Sequence, residues 1–133
     1  MEVVYYEDKY LDSLNCLLEE VFGVSKTYKS ISDDFELIMV NNNEVVGYLA
    51  LNKCVDTLSG KNYFYVNYVC VKEEHRNQGI AKALFLKVFE ICRELDIAYL
   101  ELTSNSSRVA AHKLYEKLGF SVRETTVFRK ELI

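Results

Sequence analysis

The run Lys72-Glu73-Glu74-His75-Arg76-Asn77-Gln78-Gly79-Ile80-Ala81-Lys82 gathers what an anion site needs. It joins an apolar strand pattern ending at Val71 to a helical pattern that passes through Leu84. Free backbone N–H groups at the helix start therefore stand beside Arg76 and Lys82. Such a start attracts anions through its unbonded donors and through the positive end of the helix dipole. Gly79 lets a phosphate come close to the backbone, and Ala81 keeps the next position small. The same residues also fit a loop whose glycine does nothing but turn the chain. Neither common nucleotide fingerprint is present: there is no G-x-x-x-x-G-K-[ST], and no G-x-G-x-x-G opens the first strand–helix unit.

The elements that must position this run are legible from periodicity. Glu2–Tyr6 reads as a strand. Leu11, Leu14, Leu18 and Val21 then recur at helical spacing until Gly23, with Glu7–Asp8 suited to the helix start. Val24–Ser32 is polar and reads as a short helix or a loop. Phe35–Val40 and Glu44–Lys53 are rich in branched and aromatic residues and flank Asn41-Asn42-Asn43, which predicts an antiparallel hairpin. After a turn over Asp56–Lys61, Tyr63–Val71 is a long strand. Gly79–Leu95 is a helix with the stripe Leu84, Phe85, Val88, Ile91, Cys92 and Leu95. Ile97–Thr103 is a strand, and Ser106–Leu118 is a helix stopped by Gly119 at the position past its cap, with Asn105 suited to its N-cap. Phe120–Glu124 and Thr126–Leu132 read as closing strands. The sum is a mixed α/β protein with a mostly antiparallel sheet, helices on both faces, and a central βαβ crossover expected to be right-handed.

Composition narrows the function classes. The chain has 133 residues, no proline, and half of its residues are apolar, which fits one domain over 1–133 with its own core. A net charge of −4 gives no surface built for phosphodiester backbones, so nucleic acid is not an expected partner. Cys16, Cys54, Cys70 and Cys92 form no C-x-x-C pair. Those in apolar surroundings (Cys16, Cys70 and Cys92) read as small core residues in a reducing compartment, with no metal site. No apolar run is long enough to span a bilayer, and the acidic N-terminus is no secretory signal, so a cytoplasmic protein without membrane contact is expected.

Two segments together carry a resemblance. Arg76-Asn77-Gln78-Gly79-Ile80-Ala81 follows the pattern [Q/R]-x-x-G-x-[G/A], and Ala111-His112-Lys113-Leu114-Tyr115-Glu116-Lys117-Leu118-Gly119-Phe120 follows A-x-x-x-Y-E-x-x-G-F. The chain thus resembles the GCN5-related N-acetyltransferases, in element order as well as in motifs. It departs from their commonest pattern at Glu73, where many members have proline, and at Asn77, where many have glycine; neither change removes a backbone donor. Arg108 stands where an asparagine is frequent.

The resemblance implies acetyl-CoA as co-substrate and a primary amine on a small molecule or peptide as acceptor, attacked by the amine with no covalent enzyme intermediate. It implies that the backbone of Val69, Cys70 and Val71 pairs with the pantetheine arm and polarises the thioester carbonyl. Arg76, Asn77, Gln78, Gly79, Ile80, Ala81 and Lys82 would hold the pyrophosphate, and Asn105 and Arg108 would reach the cofactor. Tyr115 would protonate the departing thiolate, because a phenol of pKa about 10 can donate to a thiolate of pKa about 8.5; as a residue on an apolar helix face it also fits plain packing. The base is left open among Glu101, Glu73, Glu74 and a water relay, while His112 reads as a packing or hydrogen-bonding residue. A non-catalytic acyl-CoA sensor or partner module is the alternative. A homodimer through the C-terminal strands and the identity of the acceptor are not decided by the sequence.

Overall fold

The computed structural model describes residues 1–26 and 34–133. The segment Val24–Ser32, expected as a short helix or loop, lies mostly outside them. Two compact units make up the chain, Met1–Thr103 and Ser104–Ile133.

The first unit is a five-stranded sheet in sequence order: β1 (Glu2–Tyr5), β2 (Phe35–Asn41), β3 (Glu44–Val55), β4 (Asn62–Val71) and β5 (Tyr99–Glu101). The first four strands pair antiparallel, and β5 pairs parallel to β4. Helix α1 (Leu11–Phe22) connects β1 to β2, and α2 (Ile80–Glu94) makes the expected βαβ crossover from β4 to β5. The β2–β3 hairpin turns on Asn42 and Asn43 at φ 50° and 65°, the left-handed pair of a two-residue turn that asparagine tolerates.

The helices cover opposite faces because successive strand residues point to opposite sides. Tyr48, with Ile38, Val45 and Cys70, packs in one cluster with Leu14, Leu17 and Leu18 of α1. Its neighbour Gly47 points the other way, under α2. A Cβ on Gly47 would stand 2.6 Å from Ile80 Cγ2 and 3.3 Å from Leu84 Cδ1. Only a residue without a side chain lets the first turn of α2 lie this close to β3. Ile80, Leu84, Phe85, Val88 and Ile91 are the buried stripe of α2, one turn longer at its start than its sequence pattern showed. Leu95, expected in that stripe, is exposed.

Cys16 is exposed, not a core residue, because the buried face of α1 is set by Leu14, Leu17 and Leu18. Of the cysteines only Cys70 is fully buried.

The second unit contains α3 (Val109–Lys117). It begins three residues later than its sequence suggests, and Arg108, not Asn105, is its N-cap. Asn105 instead closes a turn: its Oδ1 accepts from Ser107 N–H at 2.9 Å and its carbonyl accepts from Arg108 N–H at 3.0 Å. An asparagine side chain offers the backbone this alternative to a helix. The expected closing strands over Phe120–Glu124 and Thr126–Leu132 are not formed; from residue 121 the chain is exposed and has no ladder partner among the described residues. Branched and aromatic residues make strands only where a neighbour accepts their backbone bonds. No helix of the described residues is long and apolar enough to cross a membrane.

Candidate active site

The site begins with an irregularity in β4. Tyr48 is opposite Cys70 and Ala50 is opposite Asn67, so Tyr68 and Val69 together face Leu49 alone. This is a β-bulge, and Tyr68 takes φ 57° to make it. The left-handed region costs a bulky residue on the order of 1–3 kcal/mol, and such strain gathers at functional positions. The bulge also resets the alternation. Asn67 and Cys70, three apart, pair with Ala50 and Tyr48 and so share one face.

Beside the bulge the sheet is open. β5 pairs with β4 only from Tyr63 to Tyr65, leaving the edge of Val66–Val71 without a ladder partner on that side among the described residues. Val69, Cys70 and Val71 lie on this stretch. Cys70 is buried and both valines are half-buried. Side chains can thus serve the core on a stretch that β5 does not pair with.

The loop after β4 is held at several points. Lys72 N–H donates to Val46 at 2.8 Å, a single 3-10 turn spans Glu73–His75, and Arg76 Nε donates back to the Val71 carbonyl at 3.2 Å. Glu73 N–H reaches Glu20 Oε2 in α1 at 3.2 Å. Asn77 (φ 64°) and Gly79 (φ 76°) are both left-handed, and Gly79 is the N-cap of α2, with no side chain capping it. The N–H groups from Asn77 to Lys82 have no hydrogen-bond acceptor among the described residues, the first helical bond being Ala83 N–H to the Gly79 carbonyl. The first turn of α2 contains no acidic side chain. A Cβ on Gly79 would meet nothing within 4 Å, so the space in front of it is clear. Arg76, Asn77, Gln78, Gly79 and Lys82 are exposed, Ala81 is half-buried, and Ile80 alone is buried, pinning the turn to Gly47. Successive unbonded donors in this conformation form a backbone nest at the helix start, a geometry that suits an anion.

In the second unit Tyr115 is buried, and burial pushes its phenol above the ordinary range while Arg108 draws it back in part. Asn105 and Arg108 are exposed on the turn before α3. His112 Nε2 is shielded from solvent with no hydrogen-bond partner among the described residues.

The base candidates separate by environment. Glu101 is exposed on β5 in register with Tyr65, whose hydroxyl is 2.8 Å from the Thr103 hydroxyl. Glu74 is engaged: Lys72 Nζ is 3.6 Å away and His75 Nδ1 3.9 Å. Glu44, Glu74 and His75 could bring three ligand atoms within 4.8 Å of one another. Lys72 stands among them, 3.1 Å from Glu44. The hydrogen bond to Glu44 holds its ammonium above the usual lysine range. The cluster is an ion-pair network in which the Lys72 ammonium serves both carboxylates. Burial pushes the Cys92 thiol up, away from a reactive thiolate.

The sequence reading missed Tyr68 as a bulge and Gly47 as the seat of α2. Gly47 did carry a signal, since a glycine inside a strand pattern marks a bulge or a close backbone approach. Tyr68 carried none, because tyrosine is an ordinary strand residue.

The sequence model described as "Acetyltransferase (GNAT) family" matches residues 5–120. N-acetyltransferase 8F1 of Rattus norvegicus is 30% identical over 105 residues, covering 79% of this chain and 47% of the relative. The chain spans about half the length of the curated relatives it matches. Among solved structures, an acetyltransferase of Trypanosoma brucei superposes with a TM-score of 0.82 at 21% identity, covering 98% of this chain and 99% of the other. A ribosomal-protein-alanine N-acetyltransferase of Brucella melitensis biovar Abortus gives 0.84 at 17% identity, covering 98% and 100%. These two likenesses concern the fold.

Proposed function

This chain belongs to the GNAT family of acetyltransferases, and from that premise we propose that it moves an acetyl group from acetyl-CoA to a primary amine of a small molecule or peptide. The observation that carries the reading is the run of unbonded N–H groups from Asn77 to Lys82, next to an open stretch of β4. The donors suit a pyrophosphate, and the open edge suits an amide-bearing arm laid beside it as a further strand. Residues 1–133 are read as one N-acetyltransferase domain, supported by a family match that runs through both units.

Each residue then has a physical task. Arg76 and Lys82 add positive charge to the backbone nest. A backbone N–H among Val69, Cys70 and Val71 donates to the thioester carbonyl and takes up the charge that develops on its oxygen as the amine attacks. Asn105 and Arg108 contact the cofactor. Tyr115, protonated at neutral pH as any phenol is and pushed further that way by burial, donates its proton to the departing thiolate. Glu101, directly or through water, accepts the proton of the acceptor ammonium; Glu74 is less suited, being held in ion pairs.

The test is thiol release from acetyl-CoA across a panel of amines, with calorimetry of CoA binding on the wild type and on Gly79→Ala. Turnover of at least one amine is expected, together with weaker CoA binding by Gly79→Ala, whose methyl would enter the space in front of the nest. Absence of CoA binding at millimolar concentration overturns the reading. Binding without turnover of any amine turns it toward the non-catalytic sensor.

A further inference from the structure

Tyr68 is the only residue within a strand, among those described, that adopts a left-handed backbone without being glycine. Its neighbours in that conformation, Asn42, Asn43, Asn77 and Asp96, are types that tolerate it, and all lie outside strands. Tyrosine gains nothing from the backbone there, and its side chain is not used in the core: 58% of Tyr68 is exposed. The bulge throws it toward α1. Its ring meets that of Phe22, in the last turn of α1, edge to face with centroids 5.5 Å apart. Phe22 is itself 37% exposed. Two aromatic rings therefore form an open edge on the bulge residue that adjoins Val69.

The acidic end of α1 supplies negative charge at this place, part of which acts on the Lys72 ammonium through Glu20. The last turn of α1 holds Glu19 and Glu20 and no basic residue, and it ends in the negative pole of its helix dipole. Glu19 accepts from Ser25 Oγ and Glu20 from Glu73 N–H, so both carboxylates stay near the helix end.

We propose that Phe22 and Tyr68 form the acceptor-selecting edge of the site, taking a cationic amine that carries an aromatic or comparably flat apolar group. The inference rests on the transfer reading above: if the thioester carbonyl lies at Val69–Val71, an acceptor whose amine reaches it from the α1 side passes over Tyr68. Stacking of a flat group on these rings retains such an amine, while the carboxylates and the helix end attract its charge. A small polar amine has nothing to stack there and would be disfavoured.

Steady-state acetylation of phenethylamine and phenylalaninamide, against ethanolamine and 2-aminoethylphosphonate, tests this in the wild type, Tyr68→Gly and Phe22→Ala. The wild type is expected to favour the aromatic amines at least tenfold in kcat/KM. Tyr68→Gly should remove most of that preference through KM for the amine, with KM for acetyl-CoA unchanged. Glycine accepts the left-handed backbone, so this variant should melt no lower than the wild type, which separates a lost contact from a lost fold. Equal or better use of the small polar amines by the wild type overturns the proposal while leaving acetyl transfer standing. A preference that survives in both variants overturns it equally. CoA binding with no turnover of any amine overturns the transfer reading and this inference with it.

Discussion

Phe120 folds back on Tyr115: its N–H donates to the Tyr115 carbonyl at 2.9 Å, and the two rings stand 5.8 Å apart between centroids. Gly119 N–H donates to Glu116 at 3.1 Å, with Gly119 at φ 95°. Together these are a Schellman closure of α3, with its customary apolar contact between the residue beyond the glycine and the last turn. The spacing of Tyr115, Gly119 and Phe120 is thereby explained locally. The glycine turns the chain, the phenylalanine returns, and Tyr115 is held by a ring and by a hydrogen bond to its own carbonyl.

Replacing Gly119 by alanine should cost about 1 kcal/mol of stability, because a Cβ is disfavoured in the left-handed region. Chemical denaturation measures it. Gly119→Asn should lose less than alanine does, since asparagine visits that region more readily. Equal stability of alanine and wild type would show that the closure is not needed to hold α3.

Tyr115→Phe keeps the ring and the Schellman contact and removes only the hydroxyl. The expected result is a fall in kcat of roughly a hundredfold, the usual order for loss of a positioned acid. KM for acetyl-CoA should stay within about twofold. Stopped-time thiol release on both proteins gives the two constants. An unchanged kcat would sink the role assigned to the phenol and leave Tyr115 as a packing residue.

The same hydroxyl predicts a pH effect on stability. Burial raises the Tyr115 phenol above its unfolded value, so its contribution is intact below the ordinary tyrosine range and is lost as pH rises through the folded value. Above about pH 10 the unfolded chain ionises first and is favoured. Thermal melts across the alkaline range should show wild type losing stability more steeply than Tyr115→Phe. Parallel curves would contradict the assignment, because every other tyrosine is common to both proteins.

Much of this architecture is written locally. Asn42-Asn43, Gly23 and Gly119 each announce a turn by residue type, and the stripe of α2 is plain from its spacing. The left-handed glycine that opens α2 was legible for the same reason: glycine at a helix start needs no distant partner to be recognised. What escaped depends on partners far along the chain. The bulge at Tyr68 exists because β3 supplies one residue, Leu49, where β4 supplies two. The short β5 and the absence of a ladder from residue 121 onward likewise reflect which neighbours accept backbone bonds, and a strand-like composition cannot report that. Phe22 and Tyr68, 46 positions apart (68 − 22), meet only once α1 is laid on the sheet.

Gly47 offers the sharpest test of how the sheet sets the nest. Gly47→Val would place its side chain against Ile80 Cγ2, already 2.6 Å from a bare Cβ, at the first residue of α2. Ile80 is buried and branched at Cβ, so it cannot swing aside as a flexible tip would. Relief requires the start of α2 to lift, and overpacking of this kind costs about 1–3 kcal/mol. The lifted turn carries Ile80, Ala81 and Lys82, so affinity for CoA should fall along with stability. Adding Ile80→Ala to Gly47→Val should restore part of both, although Ile80→Ala alone destabilises by leaving a cavity. Denaturation and CoA titration of the wild type, the two single variants and the double variant give the coupling. Additive losses would show that Gly47 and Ile80 do not share a contact and that the nest does not depend on this seat.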